Sequence, residues 1–152
     1  MRLTTLCYIE KDGKYLMLYR NKKKKDVNKH KYSGVGGGFE ANETPEECLL
    51  REVYEETGLT LEAWRLHSVI TFISDIYETE YMYLYSADKF SGELTECSEG
   101  DLEWIDIDKV PDLPLWEGDR IFLKLMREYD GFFTMKLRYE GDKLAEYSVN
   151  KY

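Results

Sequence analysis

The sequence has 152 residues and a mass of 18.0 kDa, with 43% hydrophobic and 34% charged residues, which is enough apolar material for one globular core. We therefore expect a single domain over residues 1–152. The net charge of -9 disfavours duplex nucleic acid as a partner, because an acidic surface repels a polyanion. No apolar run approaches the roughly 20 residues of a membrane-spanning helix. We expect a cytoplasmic protein without membrane contact, and the sequence leaves open whether it is a monomer or a homodimer.

Two β-rich runs, residues 3–9 and 15–19, open the chain on either side of a Gly-containing turn and predict a β-hairpin. The lysine-rich residues 21–31 lack apolar periodicity, and residues 32–40 are rich in glycine. Both segments are typical of loops, with a short strand around Val35.

A helix follows, with clear signals at both ends. Thr44, Pro45 and Glu47 form the pattern of a capping box with proline in the first turn, and Gly58 is typical of a helix end. The sequence therefore predicts a helix from Pro45 to about Thr57.

The second half of the chain is rich in aromatic and β-branched residues with acidic or Gly-containing breaks, which predicts strands. The predicted strands are residues 59–66, 68–77, 80–86 and 102–107. Residues 115–127 have mostly helical spacing, and residues 131–140 and 143–150 predict a closing hairpin. The order of elements indicates an α+β protein.

Three carboxylates, Glu52, Glu55 and Glu56, share one face of the predicted helix within about a 100° arc. Like charges on neighbouring turns repel, and these lie near the negative end of the helix dipole, so the pattern indicates a bound cation. Carboxylate oxygens suit Mg²⁺ or Mn²⁺, which also bind phosphates. The alternative is a solvated acidic face.

The spacing around these carboxylates is far more specific than the cluster itself. The segment GGFEANETPEECLLREVYEETGL fills every fixed position of a known signature, including the aliphatic positions Val53 and Leu59. In this segment the chain resembles the Nudix hydrolase family. The resemblance implies an α/β/α sandwich with a mixed β-sheet, and hydrolysis of a nucleoside diphosphate linked to another moiety.

The resemblance also implies roles for the residues that match the signature. The implied metal ligands are Glu52, Glu55, Glu56 and the carbonyl of Gly37, with Mg²⁺ as the expected cofactor and Mn²⁺ possible. Arg51 and Glu43 would hold the Gly-rich loop against the helix, since arginine grips a carboxylate bidentately. The general base is open: Glu52 is the candidate within the signature. Outside it, Glu99 is a candidate base and metal ligand, although its acidic loop is as well explained by solvation.

Beyond the signature, the chain resembles the branch of this family that hydrolyses oxidised purine nucleoside triphosphates such as 8-oxo-dGTP. This resemblance rests on residues 31–38, Trp104-Ile105, residues 115–119 and the closing residues 131–133 and 147–149. It implies that Trp116 stacks on the purine, that Asp119 binds the edge of the base and that Phe72 lines the pocket. The other implied substrate-binding residues are Ser33, Gly36, Gly37 and Gly38.

Several alternatives accompany these assignments. Trp116 also fits a core residue and Asp119 an ordinary acid of a first helical turn. Ser33 stands where this branch usually has an asparagine, and Gly118 replaces one member of an acidic pair. The lysine run 22–25 fits either steering of a triphosphate or a solvated loop.

The leading hypothesis is a Mg²⁺-dependent pyrophosphohydrolase that converts an oxidised purine nucleoside triphosphate to the monophosphate and pyrophosphate. A Nudix hydrolase of a nucleotide sugar or a dinucleoside polyphosphate is the alternative. A non-catalytic nucleotide sensor is a third reading, although such a module is expected to lose signature carboxylates. In each case the partner is a small nucleotide.

Three well-separated cysteines, Cys7, Cys48 and Cys97, predict free thiols, with Cys48 as a small packing residue.

Overall fold

The computed structural model describes residues 1–26 and 28–152, which form a mixed β-sheet with helices. The strands are β1 (Arg2–Lys11), β2 (Lys14–Tyr19), β3 (Tyr32–Ser33), β4 (Val35–Gly38), β5 (Thr60–Ser74), β6 (Glu80–Ser91), β7 (Asp101–Asp106), β8 (Phe133–Glu140) and β9 (Lys143–Lys151). The helices are α1 (Pro45–Thr57), α2 (Glu117–Glu128) and a 3-10 helix, Ile107–Asp112.

The predicted hairpin, the short strand around Val35 and the first helix are confirmed, whereas β3 lies in a segment predicted as loop. β1 and β2 form the opening hairpin, and Asp12 and Gly13 in its turn have φ of 52° and 74°, as a tight type I′ turn needs. Helix α1 has the predicted bounds. The Thr44 hydroxyl accepts from the backbone N–H of Glu47, the Glu47 carboxylate accepts from the N–H of Thr44, and Gly58 ends the helix at φ 81°.

Two predictions for the second half are corrected. The separate strands predicted at 59–66 and 68–77 are one strand, β5, because register shifts near Ala63 and His67 absorb the irregular pattern and let the strand continue. The helix predicted to begin at residue 115 begins at Glu117, with Trp116 as its N-cap residue. The closing hairpin is confirmed as β8 and β9.

The sheet mixes parallel and antiparallel pairs. Its main strand order is β3-β2-β1-β6-β5-β8-β9; β4 also pairs with β1, and β7 with β2. The β1–β6 and β5–β8 pairs are parallel and the remaining pairs are antiparallel.

The two α-helices cover opposite faces of this sheet. On β1, Tyr8 packs in one apolar cluster with Phe122 of α2, whereas its neighbour Cys7 packs in a second cluster with Leu49 of α1. Because successive residues of a strand face opposite sides, α1 and α2 lie on opposite faces. The expected α/β/α sandwich on a mixed sheet is confirmed. Neither helix in the described ranges has the length and hydropathy needed to cross a membrane.

Candidate active site

The Gly-rich strand β4 lies between β1 and helix α1, and its glycines differ in what surrounds them. A Cβ at Gly36 would come within 1.9 Å of the Thr5 carbonyl oxygen, so this glycine permits the close approach of β1. A Cβ at Gly37 would lie 2.4 Å from Oε2 of Glu52. At Gly38 the nearest atom is 3.9 Å away. Gly37 is therefore the position where the absence of a side chain leaves room for a helix carboxylate.

Arg51 of α1 fastens the loop between β4 and the helix. Its Nε and Nη2 donate to the two oxygens of Glu43 at 2.7 and 2.8 Å, and Nη2 also donates to the Gly38 carbonyl at 3.0 Å. The hydrogen bond from Arg51 lowers the pKa of Glu43 to about 2. The loop-holding contact expected of Arg51 and Glu43 is present in this geometry.

The three helix carboxylates occupy different environments. Glu52 is partly buried and accepts from Nη1 of Arg51 at 2.8 Å, and burial raises its pKa. The Glu55 side chain is 55% exposed and lies 3.2 Å from the same nitrogen. Glu56 is buried and accepts from the backbone N–H of Gly36 at 3.0 Å. Besides Glu43, one guanidinium thus contacts two of these carboxylates, and its single positive charge does not balance them; the third carboxylate faces β4.

Glu99 reaches this cluster from the loop before β7. Its side chain is only 19% exposed and hydrogen-bonds to Glu56. Burial, followed by this hydrogen bond, raises the pKa of Glu56 well above the usual range for a carboxyl group. Burial alone would raise the pKa of Glu99 too, but hydrogen bonds from Glu56 and Lys23 lower it overall. Two carboxyl groups in such contact require a proton or a cation between them.

The donor set fits a hard divalent cation. Glu52, Glu56, Glu99 and the Gly37 carbonyl all offer oxygen, which Mg²⁺ and Mn²⁺ prefer. A divalent cation held here would relieve the repulsion between Glu56 and Glu99 without a shared proton. Glu55 shares the Arg51 nitrogen with Glu52, but its side chain is more exposed than that of Glu52 or Glu99. Among residues 1–26 and 28–152, no three His, Cys, Asp or Glu side chains are already arranged as a metal centre.

A cavity of about 420 Å³ extends from these carboxylates over strands β1, β6 and β5. Glu52 and Glu99 line one part of it, together with Gly36, Gly37 and Gly38. The predicted substrate-binding residues Trp116, Asp119, Phe72 and Ser33 line it as well. Residues that the sequence separates by more than 60 positions therefore share one cavity.

The aromatic side chains of the cavity form a fixed group. The Trp116 ring is 8% exposed, and it lies edge-on to Phe72 at 6.1 Å between ring centroids. Its indole N–H donates to Oδ1 of Asn28 at 2.7 Å, and the Lys31 ammonium lies 4.7 Å from the ring centroid. Trp116 is therefore both a core residue, as the alternative interpretation had it, and a wall of the cavity.

Asp119 and Ser33 differ in how their side chains are engaged. Burial raises the pKa of Asp119 to about 7, with a further contribution from the nearby Glu80. The Ser33 hydroxyl donates to the Gly34 carbonyl at 2.8 Å.

Gly118 stands where the resemblance implies a second acid. A Cβ at this position would lie 2.6 Å from Leu137 and 2.8 Å from the Tyr139 hydroxyl. The packing of β8 thus excludes a second acid beside Asp119.

Residues 1–126 match the NUDIX domain. The chain belongs to the Nudix family. A Nudix protein from Danio rerio, an oxidized purine nucleoside triphosphate hydrolase, is 31% identical over 99% of this chain and 95% of its own length. The Nudix hydrolase YvcI of Bacillus subtilis, described as uncharacterized, is 30% identical over the same shares. The crystal structure of a MutT protein from Bacillus halodurans superposes with a TM-score of 0.88 at 26% identity, covering 99% of this chain and 98% of that one.

The protein is a Nudix-type phosphoanhydride hydrolase, a class that generally uses divalent metal cations. The sequence did not predict every residue that lines the cavity of about 420 Å³. Arg20, Asn28 and Glu80 also line it. Each belongs to a segment without a motif, and only the tertiary arrangement brings it to the cavity, so no pattern in the sequence could have singled it out.

A larger cavity, of about 960 Å³, lies elsewhere on this Nudix domain, between the 3-10 helix and α2. The signature carboxylates do not line it. Its Arg120 donates to the Pro111 and Leu113 carbonyls, and its Arg127 donates to Glu10. Because these cations are already engaged, we place the chemistry in the smaller cavity.

Proposed function

We propose that the protein is a Mg²⁺-dependent nucleoside triphosphate pyrophosphohydrolase that acts on oxidised purine nucleotides such as 8-oxo-dGTP. The products are the nucleoside monophosphate and pyrophosphate. One observation carries the proposal: Glu52 and Glu99 of the acidic cluster line the same cavity as Trp116 and Asp119. Its volume of about 420 Å³ falls within the range of small-molecule sites.

The apolar part of the cavity suits a purine. The indole of Trp116, although largely buried, forms an apolar wall of the cavity, and Phe72 adds a second ring. With its pKa raised to about 7, Asp119 exists in both protonation states near neutral pH. A protonated carboxyl donates one hydrogen bond and accepts others, so Asp119 can pair with a base edge that presents both kinds of group. A site that forms these hydrogen bonds discriminates strongly against a base without the matching donor and acceptor groups.

The acidic part of the cavity suits the triphosphate. A divalent cation held by Glu52, Glu56, Glu99 and the Gly37 carbonyl would neutralise phosphate charge and acidify a water molecule there. Arg51 keeps the Gly-rich loop in place through Glu43 and orients Glu52. In our proposal Glu52 accepts the proton of the attacking water, because only one cationic side chain, Arg51, binds it, whereas both Lys23 and Arg20 bind Glu99. The α–β phosphoanhydride bond breaks and pyrophosphate leaves.

The names of the relatives support the substrate class. The Danio rerio protein and a Mus musculus protein that is 29% identical over 99% of this chain are both oxidized purine nucleoside triphosphate hydrolases. Both align over 99% of this chain, so the segment with Trp116 and Asp119 falls within the aligned residues.

A panel of substrates tests the proposal. We would measure release of pyrophosphate or phosphate from 8-oxo-dGTP, dGTP, ATP, ADP-ribose and a dinucleoside polyphosphate, each with Mg²⁺ and with EDTA. We expect the highest kcat/KM for 8-oxo-dGTP, with loss of turnover in EDTA. A preference for ADP-ribose or the dinucleoside polyphosphate would keep the chemistry and refute the purine assignment. Metal-dependent binding without turnover of any compound would favour a sensor.

A further inference from the structure

The loop that carries Glu99 is fastened to the segment after β2. Nζ of Lys22 donates to the Cys97 carbonyl at 2.8 Å, and the backbone N–H of Lys22 donates to the Glu99 carbonyl at 3.3 Å. Nζ of Lys23 donates to Oε1 of Glu99 at 2.8 Å. These contacts join residues more than 70 positions apart, and they place two members of the lysine run beside the acidic cluster.

The carboxylate of Glu99 is held from both of its oxygens. Lys23 binds Oε1, and Nη2 of Arg20 lies 3.2 Å from Oε2. Arg20 is itself fixed by Asp26, at 2.7 Å, and both side chains are mostly buried. A carboxylate that is bound at both oxygens loses its freedom to rotate. Its position beside Glu56 is therefore set by these cations.

The loop also lies directly on the end of β2. A Cβ at Gly100 would come within 1.8 Å of the Tyr19 carbonyl oxygen, so backbone meets backbone there. The amide of Asn21 donates to Asp101 at 2.9 Å. Residues 19–23 thus form the surface against which the Glu99 loop is positioned.

The four lysines of the run are not equivalent. All four are exposed, but Lys22 and Lys23 contact the loop, whereas Lys24 and Lys25 make no ion pair within the described ranges. A patch that only steers anionic substrate would not need this difference, since all four ammonium groups contribute to a long-range field. This difference in contacts indicates that Lys22 and Lys23 have a local structural role.

We propose that Lys22 and Lys23 are positioning residues that hold Glu99 beside Glu56 and so complete the acidic end of the cavity. Glu56 and Glu99 repel each other when both are ionised, so without the lysines the two carboxylates would move apart. The inference rests on the proposed function only in assigning Glu99 to the cation site. It does not depend on which base the substrate carries.

The test compares two double variants that each remove two positive charges. Lys22→Ala/Lys23→Ala deletes the contacts, and Lys24→Ala/Lys25→Ala is the matched control. We would measure Mn²⁺ affinity by electron paramagnetic resonance without nucleotide, amide hydrogen exchange of residues 96–101 in the metal-free protein, and kcat and KM. For the first variant we expect about tenfold weaker Mn²⁺ binding, as for other partners that orient metal ligands, together with faster exchange and lower kcat.

For the control we expect Mn²⁺ affinity and kcat within about twofold of the parent protein, since exposed charges contribute little locally. Both variants should raise KM to a similar extent if the run also steers substrate. The single variant Lys23→Arg should restore Mn²⁺ affinity relative to Lys23→Ala, because it keeps a donor to Glu99; these single variants serve if the double variant fails to fold.

Two results would overturn the inference: equal loss of Mn²⁺ affinity in both double variants, or unchanged affinity and exchange in the first. Neither readout involves the nucleotide. A failure of 8-oxo-dGTP as a substrate would therefore refute the proposed function and leave this test unaffected.

Discussion

The guanidinium of Arg51 binds the carboxylate of Glu43 through two hydrogen bonds, 2.7 and 2.8 Å long, and so ties helix α1 to the loop that precedes it. The same guanidinium also donates to Glu52 and to the carbonyl of Gly38. One side chain therefore sets the relative position of the Gly-rich strand and the helix carboxylates.

The first prediction follows from this geometry. Arg51→Lys keeps the charge but cannot form the two parallel hydrogen bonds, so Glu52 and the Gly38 carbonyl lose their fixed arrangement. We expect kcat to fall about 10–100-fold, as when other partners of metal ligands are removed. Arg138→Lys, in an exposed ion pair on β8, is the control and should leave kcat unchanged. If Arg51→Lys and Arg138→Lys both keep the kcat of the parent protein, the hydrogen bonds of Arg51 are not needed for turnover.

The second prediction concerns neighbouring glycines. In Gly37→Ala the new Cβ meets the Glu52 carboxylate, which can swing away at little cost in stability but then leaves its place beside β4. Gly38→Ala adds the same atom where the nearest neighbour is 3.9 Å away. We expect at least about tenfold lower kcat and weaker Mn²⁺ binding for Gly37→Ala alone, with similar melting temperatures for both. If Gly38→Ala loses as much activity, the contact with Glu52 is not the reason.

The local structure near these residues could be predicted from the sequence because its signals are local. The capping box at Thr44 and the glycine at 58 determine both ends of α1, and the helical period then places the carboxylates on one face. The contact between Arg51 and Glu43, which the structure contains, was implied by the family resemblance and not by local physics. Helix capping and helix geometry were sufficient only for the bounds of α1 and for its acidic face.

The remaining features depend on tertiary contacts that no local pattern encodes. β5 continues through His67 because β6 and β8 pair with it on both sides, which the irregular sequence around His67 conceals. Glu99 fits a solvated loop equally well until Lys23 and Arg20, more than 70 residues away, are seen to bind it. The lysine run likewise has no distinguishing pattern, although two of its members contact the acidic loop.

A third prediction separates two adjacent helix carboxylates. Glu56 is buried against Gly36 and Glu99, whereas Glu55 is more than half exposed. We expect Glu56→Gln to lower kcat more than about 100-fold, because a ligand charge is lost where neither water nor a neighbouring side chain can replace it. Glu55→Gln should cost less, since water can fill its place. Isothermal titration with Mg²⁺ should give the same order, and a larger loss in Glu55→Gln would contradict our placement of the cation.

The last prediction concerns the pH dependence caused by Asp119. Its pKa in the folded protein is raised to about 7, above the unfolded value, so the folded state holds a proton that the unfolded state releases. Stability should therefore be highest below about pH 4 as far as this group is concerned, fall as the pH rises towards 7, and then level off. Glu80, Lys31 and Arg120 are the charged groups that act on it, and burial outweighs them.

Asp119→Asn removes this cost while keeping the size of the side chain. Its melting temperature should exceed that of the parent protein at pH 8 and match it near pH 4. The difference should correspond to about 1–3 kcal/mol, or 2–4 °C for each kcal/mol, typical of a buried group without a partner. Glu117→Gln, an exposed acid of the same helical turn, is the control and should show no such trend. Because an amide cannot change its protonation, Asp119→Asn should also remove any change in the kcat/KM ratio of 8-oxo-dGTP to dGTP near pH 7. If the ratio of kcat/KM values for the two nucleotides still changes near pH 7 in this variant, a group other than Asp119 causes the pH-dependent discrimination between the bases.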